Sequence, residues 1–455
     1  MSFFIFVSML FVLTGFKKSA DDTELLSVVM VSRHGIRSLH IPLEDFNKYT
    51  QRPQGFPVWP PPADVPGNLS AKGKENVTKL GSWYRDFYAS QGLLPARGNC
   101  PPDGKVFVYA NVMERTIQTA QGYINGLFKD EKTADCGVKV IHAEGETDPY
   151  FTAASVSGLC KTDSTRDLKA FNDAVGGNPD SLKIKYSSRL RMMQDVTKCC
   201  APEACQTVKN PKPSSCTLME LPSAPGIHEK TGIVKFDTLF HVASGIAETL
   251  ELEYVEGMAE RKCPTAKGAQ CFGWGAVPPG GLNEMMSLET MYFNVVHRLP
   301  SFVQASASNL MWQVIGTMDQ TLSGVKNPAA LAPAGNRLTI FVGHDVENIT
   351  AIGAFLDVNW QVEGFQQNDP APTGALVFEL HRNKKDGRNI VRLFYVVPSL
   401  EQMRSGAVLT LKNPPQRVRL TIPACGTLDC PYEKFKNFII TNVRQDCITR
   451  TLPKE

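Results

Sequence analysis

The chain has 455 residues, of which 42% are hydrophobic and 20% charged, and its net charge is +3. This length is sufficient for a large core and for more than one domain. A net charge this small gives no indication of an extended basic surface, so any important positive charge must be local, and we expect neither nucleic acid nor a membrane as a stable partner.

An almost wholly apolar segment, Phe3–Phe16, opens the chain, and Lys17-Lys18-Ser19-Ala20 follows it. Such a segment is too short to cross a bilayer comfortably but suits the apolar core of a signal peptide. We therefore expect residues 1–20 to direct export to a periplasmic or secreted location, with an uncleaved anchor as the alternative. The twelve cysteines support export, since they lack the spacing of a metal site and favour disulfides.

Short apolar runs alternate with helical patterns along most of the chain. The predicted strands are Leu25–Ser32, Val106–Ala110, Val138–His142, Leu338–Val342, Ala375–Leu380 and Val391–Val397. Helices are predicted from Leu69 onward and over Val112–Phe128, Leu239–Tyr254 and Asn283–Leu299. This alternation predicts an α/β fold in which helices flank a mostly parallel sheet.

The segment 152–320 shows no convincing series of strands. We therefore expect a mainly helical insertion domain over 152–320. It would separate two parts, 21–151 and 321–455, of a single α/β domain.

Polar residues follow three of the predicted strands. These residues are Arg33-His34-Gly35-Ile36-Arg37, Asn111–Thr116 and Gly343-His344-Asp345. Open α/β sheets build their sites at the carboxyl ends of strands. Guanidinium groups match the oxygens of a phosphate, and an imidazole between them can attack phosphorus. The pattern therefore predicts phosphoryl-transfer chemistry.

These motifs resemble those of the histidine acid phosphatase family, in its bacterial phytase and glucose-1-phosphatase branch. The family motif RHGxRxP is matched by Arg33-His34-Gly35-Ile36-Arg37, with Ser38-Leu39 in the region of the proline. The mid-domain arginine of the family corresponds to Arg115, and its HD motif corresponds to His344-Asp345. The resemblance implies a phosphoglycerate mutase-like fold in which the α/β domain is catalytic.

The resemblance also implies roles for these residues, with no metal or other cofactor. His34 would attack the phosphoryl group and form a phosphohistidine. Asp345 would protonate the leaving alcohol and then assist water. Arg33, Arg37, Arg115 and His344 would bind the phosphoryl oxygens. The partner would be a small phosphorylated substrate, and the protein an exported acid phosphatase acting on phytate, sugar phosphates or a broad range of phosphomonoesters.

Two glutamates have open roles at this point. The family segment HDTN is one residue longer here, His344–Asn348, so Glu347 competes with Asp345 as the proton donor. Glu248 matches a family glutamate that reaches the substrate, and a solvated helix position is an equal alternative. The alternative functions are a phosphomutase-like enzyme and an inactive secreted member of the same fold that only binds a phosphate ligand.

The resemblance implies three disulfides as well, namely Cys100–Cys136, Cys160–Cys447 and Cys425–Cys430. Proximity in the chain suggests Cys263 with Cys271. No partner is predicted for Cys199, Cys200, Cys205 or Cys216.

Overall fold

The computed structural model describes residues 22–129, 136–154, 158–208, 215–258 and 272–449. The expected signal peptide, 1–20, lies outside these residues, as does the suggested Cys263–Cys271 pair. None of the helices in the described ranges is long and apolar enough to cross a membrane.

The strands in this part of the chain form one large sheet and one small hairpin. They are β1 (Thr23–Arg33), β2 (Val106–Ala110), β3 (Val140–His142), β4 (Pro225–Ile227), β5 (Val234–Phe236), β6 (Leu338–Gly343), β7 (Ala375–Asn383), β8 (Asn389–Val397), β9 (Gln416–Leu420) and β10 (Cys430–Pro431). The large sheet has the order β10-β8-β7-β1-β6-β2-β3, and β9 pairs with β8.

The large sheet is mixed. Strands β1, β6, β2 and β3 are parallel to their neighbours within this group. Strand β7 is antiparallel to β1, and β8 and β9 continue the antiparallel half. The predicted α/β fold is confirmed, with the parallel half bringing the carboxyl ends of β1, β6 and β2 to one edge.

Fourteen α-helices lie in the described residues, and members of this set cover both faces of the sheet. They are α1 (Leu43–Phe46), α2 (Ala71–Ser90), α3 (Glu114–Phe128), α4 (Pro149–Thr152), α5 (Ser164–Ala174), α6 (Asp180–Lys185), α7 (Ser187–Thr197), α8 (Pro202–Cys205), α9 (Leu239–Glu256), α10 (Gly281–Val296), α11 (Pro300–Ser323), α12 (Ala351–Phe355), α13 (Leu400–Ser405) and α14 (Tyr432–Asn442). A π-helical turn, Asp345–Thr350, precedes α12.

The alternation of side chains along β1 explains why both faces are covered. Val28 and Met30 belong to a core that includes residues of α2 and α3. Val29 and Val31 point to the other face and belong to a core that includes residues of α11 and α14. Because successive strand residues face opposite ways, an unbroken apolar run such as this one requires helices on both sides.

The segment 152–320 contains the helices α5 to α10 and most of α11, and it supplies most of a third core, to which Phe46 and Phe56 also belong. It also contains the antiparallel hairpin β4–β5. The sequence analysis did not predict this hairpin. Each of its strands has only three residues, and the first begins with Pro225 and Gly226, so neither shows the alternation that marks a strand.

The three disulfides implied by the family resemblance are present. The Cα atoms are 5.3 Å apart in Cys100–Cys136, 4.9 Å in Cys160–Cys447 and 5.3 Å in Cys425–Cys430. Two further pairs, Cys205–Cys216 and the adjacent Cys199–Cys200, account for the remaining cysteines of the described residues.

Candidate active site

The register of the parallel strands aligns the three polar segments. Arg33 of β1 is level with Gly343 of β6, and Ala110 of β2 is level with Val342. The next residues continue the pairing, since the His34 backbone N–H donates to the Gly343 oxygen at 3.0 Å. His34, Asn111 and His344 therefore leave the same edge of the sheet side by side.

Two glycines allow the loop after β1 to pass closely under α2. A Cβ atom at Gly73 would lie 2.4 Å from the backbone oxygen of Ile36, so only glycine permits this approach. The Gly35 backbone N–H donates to Thr119 Oγ1 of α3 at 2.9 Å. The loop that carries His34 is thus held between two helices of the sheet face.

The tautomer of His34 is fixed by its neighbour. Its Nδ1 lies 2.9 Å from the Gly35 backbone oxygen. A carbonyl oxygen can only accept, so Nδ1 carries the hydrogen, and the lone pair of the neutral ring is on Nε2. Burial, together with the charges of Arg115, Arg37 and Arg33, lowers the pKa of His34 well below its usual value. The lowered pKa favours the neutral form of His34, whose Nε2 lone pair can act as a nucleophile.

Glu248 joins two of the arginines. Its Oε1 lies 2.5 Å from Arg33 Nη2 and 2.8 Å from Arg37 Nη2. Burial raises the pKa of Glu248, but the two guanidinium groups outweigh burial and the net pKa is lowered. Glu248 is buried in the site. The alternative of a solvated helix position was therefore wrong.

His344 and Asn111 hold Arg115. The Met113 backbone N–H donates to Asn111 Oδ1 at 3.2 Å, which identifies this atom as the amide oxygen. His344 Nε2 lies 3.1 Å from the same oxygen and therefore carries the ring hydrogen. The lone pair on Nδ1 accepts from Arg115 Nη2 at 3.5 Å. Burial, followed by the charge of Arg115, lowers the pKa of His344 to about 3.

The extra residue in the His344–Asn348 segment forms a wider helical turn. The Ile349 N–H donates to the His344 oxygen at 3.3 Å, a bond between residues five apart that defines a π-helical turn. Asn348 accepts from the His344 N–H at 2.6 Å and donates to the Phe151 oxygen at 3.2 Å. The turn thus absorbs the additional residue and keeps Asn348 against His344.

The two competing carboxylates of this turn differ in their contact with Arg33. Asp345 Oδ2 lies 2.8 Å from Arg33 Nη2, and its side chain is 14% exposed. Burial raises the pKa of Asp345, but Arg33 and Arg37 outweigh burial and hold it well below its usual value. Both carboxylates counter the effect of burial on the pKa of Arg115, and Asp345 does so more than Glu347.

Sequence reasoning placed Asn111 at this edge without giving it a role, and it missed several other groups around these residues. Asn111 and Thr119 orient His344 and Gly35, and the carboxyl groups of Glu251, Glu289 and Asp369 are buried near Arg33. One signal was available for Glu251. It follows Glu248 by three residues and precedes the buried Val255 by four, so it occupies a core position of α9.

Comparison with known proteins places this arrangement in a family. The model described as "Histidine phosphatase superfamily (branch 2)" matches residues 24–396. The chain is 29% identical over 434 residues to Phytase AppA of Escherichia coli, covering 92% of each protein. It is 27% identical over 431 residues to Glucose-1-phosphatase of Salmonella typhimurium, covering 92% of this chain and 93% of that protein. The solved structure of Hafnia alvei phytase in complex with tartrate aligns with a TM-score of 0.79 and 26% identity, over 95% of this chain and 100% of that one.

Proposed function

Because the chain belongs to branch 2 of the histidine phosphatase superfamily, as a phosphoric monoester hydrolase, we propose that it hydrolyses phosphomonoesters through a phosphohistidine on His34. The main observation that supports this proposal is the tautomer of His34. Its Nδ1–H is held by the Gly35 oxygen, so the lone pair on Nε2 is available to attack phosphorus. The three arginines around it supply the charge that a phosphoryl group requires.

The proposed reaction has two steps. In the first, Nε2 of His34 bonds to phosphorus, the ester P–O bond breaks, and Asp345 gives its proton to the leaving oxygen. In the second, Asp345 takes a proton from water, the water oxygen bonds to phosphorus, and the P–N bond breaks to release phosphate. Arg33, Arg37 and Arg115 hold the phosphoryl oxygens in both steps, and His344 orients Arg115.

Asp345 must be protonated to act as the donor in the first step, although its pKa is lowered by Arg33 and Arg37. A bound phosphoryl group supplies this change. Its negative oxygens take up the charge of Arg33 and add their own negative charge beside the carboxylate. Both effects raise the pKa of Asp345 when substrate binds.

The role of His34 is tested by His34→Ala. We expect release of p-nitrophenol from p-nitrophenyl phosphate at pH about 4 to 6 to fall by about a thousandfold or more, because the covalent step is lost. After rapid mixing and an alkaline quench, mass spectrometry should find one phosphoryl group on the wild-type peptide that contains His34. Turnover that survives in His34→Ala would contradict the proposal.

The donor is tested by comparing Asp345→Asn with Glu347→Gln. Glucose 1-phosphate has a poor leaving group that needs a proton, whereas p-nitrophenolate leaves without one. We expect Asp345→Asn to lower kcat/KM for glucose 1-phosphate by about 10²–10⁴-fold and kcat/KM for p-nitrophenyl phosphate much less, because this ratio reports the first step and not the hydrolysis of the phosphohistidine that both substrates share. Glu347→Gln serves as the matched control and should show no such leaving-group dependence. The reverse pattern would assign the donor to Glu347.

The natural substrate belongs to the same proposal. The relatives are named as phytases and glucose-1-phosphatases, and both phytate and sugar phosphates are small phosphomonoesters. We propose a substrate of this class. Values of kcat/KM for phytate, glucose 1-phosphate and p-nitrophenyl phosphate will distinguish a selective enzyme from one of broad range.

We propose export to the periplasm or the medium as well. Two observations support it, namely the apolar segment Phe3–Phe16 and the disulfides, which leave no free cysteine among the described residues. Disulfides persist in oxidising compartments. Fractionation of cells that express the full chain, with activity measured in each fraction, tests this location.

A further inference from the structure

Three carboxyl groups with no role in the proposed chemistry are buried around Arg33. Glu251 of α9, Glu289 of α10 and Asp369, in the segment before β7, are each 1% exposed. Asp369 precedes Pro370, whose carbonyl oxygen accepts from Arg33 Nη1 at 2.9 Å. The backbone oxygen of Asp369 is itself fixed by Tyr395 Oη and by Trp360 Nε1, each at 2.9 Å. Asp369 is thus part of the backbone segment that supports Arg33.

Most carboxyl oxygens of these three residues lack hydrogen bonds among the described residues. Both oxygens of Glu251, Oε2 of Glu289 and Oδ2 of Asp369 have no hydrogen-bond partner among the residues that the structure describes. A carboxylate charge without partners is costly in a buried position, so the uncharged form is favoured. Burial raises the pKa of Asp369 to about 7, and burial and the neighbouring carboxyl groups raise those of Glu251 and Glu289 well above the usual value.

The charge of the phosphate-binding site therefore depends on these groups. When they are uncharged, three arginines face the two carboxylates Glu248 and Asp345, which leaves one net positive charge. Ionisation of all three carboxyl groups would change this to two net negative charges. Besides one another, the titratable groups that face them are Arg33, Glu248, Asp345 and Tyr395.

We propose that Glu251, Glu289 and Asp369 are positioning residues that restrict phosphate binding at Arg33 to acidic solution. When these carboxyl groups are uncharged, the positive charge of Arg33 is available to bind the phosphate. Ionised, they compete with the phosphate for that charge. This inference rests on the proposed phosphatase function and adds the pH range in which the site can work.

Sulfate is a suitable probe, because it stays a dianion across this pH range while a phosphate ester titrates. Calorimetry with the full chain from pH 5 to pH 8 should show wild-type affinity falling by about tenfold or more, since each new charge lies close to Arg33. The variant Glu251→Gln/Glu289→Gln/Asp369→Asn should lose much less affinity. At pH 7, binding to wild type should take up protons, and Asp369→Asn should take up fewer.

Glu253→Gln is the matched control. Glu253 is equally buried in α9, its pKa is raised to about 8 by burial, and it accepts from the Gly273 N–H at 3.3 Å. It follows Glu251 by two residues and so points about 200° around the helix. Its substitution should leave the pH dependence of sulfate affinity unchanged. Circular dichroism will confirm that each variant is folded, and the single variant Asp369→Asn replaces the triple variant if the latter does not fold.

A folded triple or Asp369→Asn variant whose sulfate affinity falls with pH as steeply as that of wild type would overturn the inference. So would a wild-type affinity that does not change between pH 5 and pH 8. Failure of the proposed function appears separately, as wild-type protein that binds sulfate but does not turn over p-nitrophenyl phosphate. As a second measurement, the alkaline limit of kcat/KM should move to higher pH in the triple variant and stay unchanged in Glu253→Gln.

Discussion

In the proposed active site, single side-chain oxygens accept hydrogen bonds from two neighbouring groups. Glu248 Oε1 accepts from both Arg33 and Arg37, and Asn111 Oδ1 accepts from both Met113 and His344. Each shared oxygen fixes the distance between the groups it joins. The cationic groups of the site are thereby oriented before a substrate arrives, which is what electrostatic stabilisation of a phosphoryl group requires.

The Asn111 contact can be tested through the charge of His344. In Asn111→Asp, a carboxylate would face the Nε2–H of His344 and raise its pKa from about 3 towards the usual value. A protonated His344 can no longer accept from Arg115, so we expect KM for p-nitrophenyl phosphate at pH 4 to rise by about three- to tenfold. NMR of the imidazole C–H signals should show His344 titrating above pH 4 only in the variant.

Asn111→Leu provides the control for this prediction. It removes the shared oxygen without adding a charge, so KM should rise without a new titration in the spectrum. A His344 that titrates at the same pH in wild type and in Asn111→Asp would contradict the tautomer derived from the geometry.

At the scale of elements, close packing of α2 on α3 depends on glycine. A Cβ atom at Gly126 of α3 would lie 1.9 Å from the backbone oxygen of Thr78 in α2, and one at Gly81 would lie 2.7 Å from the oxygen of Tyr123. Backbone atoms cannot move aside as a flexible side chain can. The two helices therefore cannot keep their separation if either glycine gains a side chain.

We expect Gly126→Ala to lower the free energy of unfolding by about 3 kcal/mol, because the added methyl group forces α2 and α3 apart. Gly316→Ala is the matched substitution. Gly316 lies within α11, where the nearest atom to a new Cβ would be 3.5 Å away. Alanine has a higher helix propensity than glycine, so the free energy of unfolding of this variant should rise by about 0.5–1 kcal/mol. Urea denaturation measures both, and equal effects of the two substitutions would contradict the packing argument.

The sequence predicted most elements of the large sheet, because their apolar runs are continuous. Strand β2 was predicted with the bounds that the structure shows, and the β1 prediction fell short by two residues at its start and one at its end. Strand β9 was missed because its sequence, QRVRL, is polar and only half-buried where it pairs with β8 alone. Strand β10 has two residues and depends wholly on its pairing with β8.

The site could be predicted only where a motif marks it. His34, Arg115 and His344 follow predicted strands, so sheet topology alone places them at one edge. Glu289 and Asp369 carry no such mark. They reach Arg33 because α10 and the segment before β7 pack around it, and that tertiary contact leaves no local pattern in the sequence.

At the scale of the whole molecule, two opposing sets of buried groups control stability against pH. Carboxyl groups with raised pKa bind protons more tightly when folded, so their contribution to stability is lost as pH rises. Histidines with lowered pKa stay neutral when folded, so their contribution is lost as pH falls below their unfolded value. The carboxyl groups are Asp148, Glu251, Glu253, Glu289 and Asp369; the histidines are His34, His40, His241, His297 and His344.

The two sets act over different pH ranges. Between about pH 4.5 and 6.5, the reference values of glutamate and histidine, the unfolded chain binds protons at its histidines while the folded chain binds them at its carboxyl groups. The histidines therefore make the free energy of unfolding rise with pH in this range, and the carboxyl groups make it fall. Above about pH 6.5 the histidines are neutral in both states and only the carboxyl groups matter. The free energy of unfolding should then fall with rising pH, until each carboxyl group has passed its folded pKa.

The contribution of Glu253 to the pH dependence of the free energy of unfolding can be measured separately. Its folded pKa is about 8, and burial is the main cause. From pH 6.5 to 7.5 the folded chain binds its proton and the unfolded chain does not, which contributes a loss of about 1.4 kcal/mol per pH unit. Glu253→Gln removes this proton from both states, so urea denaturation should give a slope shallower by about that amount. The free energy of unfolding of the variant should therefore increase relative to that of wild type as pH rises. A difference between the two that stays constant from pH 5 to pH 8 would show that Glu253 is already ionised in the folded protein.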